Sequence, residues 1–184
     1  MESATFKQNN NQTIISGMVL PFSDQPNGNG RIYNPDCITT EVLDEFKKEI
    51  KEGNALGENF IYGHDLLETT ESILLTNVSH IATNIEKTEK GLIGEIRLLA
   101  TPQGQIIKEL LHWKSLCIRP RCTGVVHEDK TVTIDKILSI DILSSYDDVF
   151  NPDSYRNRRY RLSCAPNARN KNVRYKLSEN KEEA

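Results

Sequence analysis

Leu116-Cys117-Ile118-Arg119-Pro120-Arg121-Cys122-Thr123-Gly124 is the stretch on which the reading of this chain turns. Leu116 to Ile118 is short and apolar, and Gly124 to Val126 resumes the same character. Strand is therefore expected on both sides of a charged centre. That centre is Arg119-Pro120-Arg121. A guanidinium stays protonated at any working pH, so Arg119 can serve neither as nucleophile nor as base. Pro120 carries no N–H and biases Arg119 towards an extended backbone. Cys117 has the same side-chain parity as Arg119, because faces alternate along a strand. Its thiol would lie roughly 7 Å upstream of the Arg119 position.

Working downstream, His127 to Lys130 reads as a turn, and Thr131 to Leu143 supplies one or two further strands. Upstream, Thr101-Pro102 opens a helix: a capping hydroxyl, then proline in the first turn, where a missing N–H costs nothing. Ile106, Ile107, Leu110 and Leu111 give that helix an apolar face, and Trp113 is expected to pack at its end. Ile73 to Ile85 and Leu92 to Leu99 read as strands joined by the charged turn Lys87 to Gly91, a hairpin pattern by spacing. A helix is expected from about Thr40, capped by Thr40, lined by Leu43, Phe46 and Ile50, and ended by Gly53. Ile14 to Leu20 is the first expected strand, followed by the turn-rich loop Pro21 to Tyr33. No internal repeat is evident. The pattern is α+β, with mostly antiparallel strands and two helices.

Length and composition bound the function. A chain of 184 residues favours one domain with an extension. It has no apolar run long enough to span a bilayer. The start, Met1 to Thr13, is polar and lacks the pattern of a secretory signal. Four cysteines, Cys37, Cys117, Cys122 and Cys164, form neither a disulfide framework nor a zinc-binding spacing, which suits a reducing cytoplasm. The net charge of −3 conceals an asymmetry. Residues 151–176 hold Arg156, Arg158, Arg159, Arg161, Arg169, Lys171, Arg174 and Lys176 against Asp153, a net of +7. The eight residues after them carry −2, leaving −8 for residues 1–150. Such a division speaks of partners rather than of fold.

From Asn27 to about Phe150 the chain resembles the prohead proteases of tailed bacteriophages, serine peptidases that trim the scaffold during capsid maturation. The matching segments are Asn27-Gly28-Asn29-Gly30-Arg31-Ile32-Tyr33, Ala55-Leu56-Gly57-Glu58 with His64 shortly after, and Asn77-Val78-Ser79-His80-Ile81. Gly91-Leu92-Ile93-Gly94-Glu95-Ile96, Thr101-Pro102-Gln103-Gly104, the Arg119 region and Ser139-Ile140-Asp141-Ile142-Leu143-Ser144 follow in the family's order. Two departures matter. The family's Gly-Ile-Ser-Ser-Arg-x-x-Gly reads Cys-Ile-Arg-Pro-Arg-Cys-Thr-Gly here, so both serines are replaced. The family's Gly-Glu-Leu-x-His-Pro is altered too: residues 59–63 separate Glu58 from His64, and Asp65 stands in place of proline.

The resemblance implies a fold shared with herpesvirus proteases, a small mostly antiparallel β-barrel flanked by helices; beyond it, after Phe150, the strand pattern fades and Pro152, Pro166, the asparagines and the basic cluster point to an extended basic C-terminal arm. The implied division is a polar segment 1–13, a protease-like domain 14–150 and the arm 151–184. It places the base at His64 and the nucleophile position on Arg119. Asp141 is the first choice for the residue that orients the base, and His80 the second, although a structural histidine in the core suits its apolar strand better. Arg121 keeps the family arginine, which would shape the oxyanion region; here it could instead pair with Asp141 or Glu58. Cys117 is the candidate for a relocated nucleophile, with a packed thiol as the plainer reading. No cofactor or metal is implied.

Three roles stay open at this point. One is a catalytically inactive structural component of the virion or of head assembly. Another is an active maturation peptidase with shifted chemistry, and the third is a transient non-catalytic scaffold or core protein. The partners implied are phage head, portal, neck or scaffold proteins within a larger assembly in the host cytoplasm, with no membrane. The arm's Arg156, Arg158, Arg159, Arg161, Arg169, Lys171 and Arg174, interleaved with tyrosines, suit either acidic protein or packaged DNA.

Overall fold

The computed structural model describes residues 5–9, 12–27, 30–59, 72–112 and 116–143. In chain order the elements are β1 (Thr5–Asn9), β2 (Gln12–Pro21), α1 (Thr40–Glu52), β3 (Leu56–Glu58), β4 (Val78–Thr88), β5 (Gly91–Leu98), α2 (Pro102–Leu110), β6 (Cys117–Val126) and β7 (Val132–Leu143). Short 3₁₀ turns occupy Pro35–Cys37 and Leu75–Asn77. The fold is α+β. A five-stranded sheet runs β1-β2-β5-β4-β3, a second sheet consists of β6 and β7 alone, and every ladder is antiparallel.

Both helices form for local reasons. Thr39 has an extended backbone, and its hydroxyl accepts the Val42 N–H, so the cap is one residue earlier than expected and Thr40 opens α1. A cap must keep a non-helical backbone, which Thr39 has and Thr40 does not. Leu43 and Phe46 are buried, Ile50 is half-buried, and Gly53 closes the helix at φ 77°, a conformation glycine adopts without strain. Thr101 caps α2, accepting the Gly104 N–H at 3.0 Å and donating to the Val78 carbonyl at 2.7 Å. The same hydroxyl thus starts a helix and ties it to β4.

The core lies between the sheets and is closed by α1, which packs on β4 and β7. Ile15, Val19, Ile85, Leu92, Ile96, Ile118, Ile140 and Ile142 are almost wholly buried there. Each such side chain contributes about 1.5–3 kcal/mol relative to exposure. Ser139 to Leu143 is buried on both faces of β7. Ile140 and Ile142 face the core, while Ser139 and Asp141 share the opposite face by parity.

The expected barrel is not present: among the described residues no ladder closes the sheets on themselves. The reason lies in the strand edges. The Ile140 carbonyl accepts from His80 Nε2, so it points away from β6. Pro120 lies directly opposite Ile140, and in an antiparallel pair the backbone groups of opposite residues either both face each other or both turn away from each other. Pro120 therefore turns its missing N–H to the open edge of β6, where a strand tolerates proline. A ladder from that edge to β2 would lack this donor. Instead the Arg119 guanidinium donates to the Met18 carbonyl of β2 at 3.4 Å. At the other edge, among the described residues, β7 meets the first sheet through one backbone bridge, Asn59 to Ile142, and through side-chain bonds from His80 to the Ile140 carbonyl and from the Glu58 N–H to Asp141.

Candidate functional site

The polar face of the β6–β7 hairpin gathers the residues singled out in the sequence. Arg119 lies opposite Asp141, and Arg121 opposite Ser139. Arg121 Nε donates to Asp141 Oδ2 at 2.8 Å, and its Nη2 forms a short ion pair with Glu58 Oε2. The pairing of Arg121 with both carboxylates is thus a geometric fact. Asp141 Oδ1 accepts the Ser139 hydroxyl at 2.9 Å and the Glu58 N–H at 3.1 Å. Burial works against the charge on Arg121, but the Asp141 and Glu58 carboxylates outweigh it and raise its pKa further. Arg121 remains a cation, and two nearly buried carboxylates are held against it.

His80 lies behind this cluster, fully buried. Its Nε2 is 2.6 Å from the Ile140 carbonyl and its Nδ1 is 2.7 Å from Ser79 Oγ. A carbonyl only accepts, so Nε2 must carry the proton, and Nδ1 then accepts the Ser79 hydroxyl. Burial pushes the His80 pKa down to about 4, against the opposing pull of the Ile140 hydrogen bond and the Asp141 charge. The ring crosses over Gly57, its partner on β3. A Cβ on Gly57 would overlap both His80 Nε2 and the Ile140 carbonyl oxygen, so only glycine fits. This gives Gly57 a physical task that its place in a short motif did not reveal.

Arg119, at the position where the resemblance sets the nucleophile, is only 3% exposed. Its Nη1 donates to the Ile118 carbonyl at 2.6 Å as well as to Met18. Cys117 is buried, and its thiol points to the Leu143 carbonyl at 3.8 Å. Ser79 and Ser139 are fully buried. Ser139 had one sequence signal, its two-residue offset from Asp141, which puts both on one strand face. His112 and His127 are exposed. His64, Trp113, Cys164 and the basic residues of the arm, Arg156 to Lys176, lie outside the described residues. Among the described residues no group of His, Cys, Asp and Glu is arranged to hold a metal ion, and no helix is long and apolar enough to cross a membrane.

A solved structure described as the bacteriophage T4 capsid assembly protease, gp21, aligns with this architecture at a TM-score of 0.53, over 79% of this chain and 90% of that one. The fold is shared with a capsid assembly protease. Sequence identity over the match is 14%, so the likeness concerns the fold. No protein-family model and no curated protein matches the chain. A serine peptidase on such a fold needs a reachable hydroxyl, a base beside it and donors for an oxyanion. On the described β6–β7 hairpin, Ser139, Cys117 and Cys122 are buried, whereas Thr123, Thr131 and Thr133 are half-buried, and exposed His127 lies in the connecting turn with its Nε2 2.8 Å from Thr133 Oγ1.

Proposed function

We propose that this protein is a phage head morphogenesis factor that keeps the architecture of a prohead protease and acts as a structural or assembly component without cutting. The observation that carries the reading is Arg119. A permanently charged side chain, buried and bonded to backbone carbonyls, stands where the resemblance requires a serine hydroxyl. Pro120 beside it removes a backbone donor where an oxyanion hole could be built. The Arg121 guanidinium is engaged by Glu58 and Asp141, which supports a structural rather than a catalytic use of all three.

Likeness of fold to a capsid assembly protease supports a place in head assembly, within the host cytoplasm. The arm 151–176, with its net charge of +7, would bind acidic protein of the head or neck, or packaged DNA. Quantitative mass spectrometry of proheads and finished particles tests the proposal. Retention in finished particles fits a virion component, and presence in proheads alone fits a transient core protein. Absence from both would overturn the reading.

A further inference from the structure

We infer that Glu58, Arg121 and Asp141 form a clamp that fixes both ends of the 60–71 segment on the β6–β7 hairpin, with Arg121 as the positioning residue. Segment 60–71 joins β3 to the 3₁₀ turn before β4, and its two flanks arrive at the same three side chains. On the leading flank, the Glu58 N–H donates to Asp141 Oδ1 at 3.1 Å, and Asn59 bridges to Ile142 of β7. On the trailing flank, the Leu74 N–H donates to Glu58 Oε1 at 3.1 Å, and Arg121 Nη1 donates to the Ser72 carbonyl at 3.4 Å. The flanks also meet directly, the Asn59 N–H donating to the Asn77 carbonyl at 3.2 Å.

The geometry calls for arginine. Nε binds Asp141 on β7, Nη2 binds Glu58 on β3, and Nη1 binds Ser72, so three nitrogens of one plane reach three separate segments. A lysine ammonium is a single nitrogen and cannot span them. Glu58 is likewise divided, one oxygen on Arg121 and the other on Leu74. Bringing the ends of a loop together costs entropy, and these bonds oppose that cost at the place where the ends converge. Because the segment carries His64, the clamp sets where that residue's chain leaves and re-enters the fold. The inference stands whether or not the protein cuts.

Amide hydrogen exchange on the full chain, read residue by residue, tests it with Arg121→Lys. The Leu74 and Asn59 amides should exchange at least tenfold faster than in the wild type. The remote Leu99 and Val132 amides, bonded to the Ser79 and Ile32 carbonyls, should stay within about twofold. Equal acceleration at all four would mean a general core stabiliser and would overturn the clamp, as would unchanged exchange at Leu74 and Asn59. Should Arg121→Lys fail to fold, Glu58→Gln carries the same test, since it keeps the side chain's shape while removing its charge and turning one of its two acceptor oxygens into an N–H donor.

Discussion

His80 makes the stability of this fold depend on pH in a way that can be worked out in advance. The ring is fully buried, neutral, and locked between Ser79 Oγ and the Ile140 carbonyl. Its pKa is lowered from 6.5 to about 4, burial being the main cause. In the unfolded chain the ring takes up a proton near its ordinary value. Between those two values the unfolded state therefore binds more protons than the folded state, and stability must rise with pH across that window. Stability is complete above about 6.5 and is lost as the pH falls towards 4. At about 1.4 kcal/mol per pKa unit, the loss from this residue is about 1 kcal/mol by pH 5.5 and about 3 kcal/mol by pH 4. Urea unfolding of the wild type and of His80→Gln at about pH 7, 5.5 and 4 isolates the effect. The variant cannot take up the proton, so its curve should be flatter than the wild type's by that amount. Identical pH dependence in the two proteins would refute the reasoning, as would an NMR titration of the His80 ring centred near 6.5.

Three further outcomes follow from the same contacts. Gly57→Ala would force a Cβ into the His80 ring and the Ile140 carbonyl, costing about 3 kcal/mol as overpacking against backbone, measurable by thermal or urea unfolding. Arg121→Met would leave Glu58 and Asp141 buried without their cation; the loss should be about 3–5 kcal/mol, and larger than for either carboxylate changed to its amide. Thr101→Ala would remove both the α2 cap and the bond to the Val78 carbonyl, a loss of about 1–2 kcal/mol in the same unfolding assay.

The parts of the fold legible in the sequence are those with local causes. Thr101-Pro102 marks the start of α2 because cap and first-turn proline are adjacent in sequence. Gly53 marks the end of α1, and the charged turn at Glu89-Lys90 separates β4 from β5. The edge strand β1 and the three-residue β3 were not legible, because one is polar and the other too short to display a period. Which edge of β6 lacks the Pro120 backbone donor is settled only by register with β7. The site was legible in its members more than in its bonds. Arg121 meets Glu58 across 63 positions, and Glu58 meets Asp141 across 83, separations at which sequence carries no local signal. The destination of the Arg119 side chain, on a carbonyl of β2, was not readable at all.

The role proposed for this protease-like architecture is assembly without cleavage. Its most direct test is co-expression of this protein with the candidate scaffold and major head protein encoded in the same genome, beside His64→Ala and Cys117→Ala versions, with intact-mass spectrometry of every component. Intact scaffold and head protein are expected in all three cases, co-purifying with the wild-type chain. Specific cleavage products that disappear with either substitution would contradict it and would mean that a working nucleophile lies away from the Arg119 position.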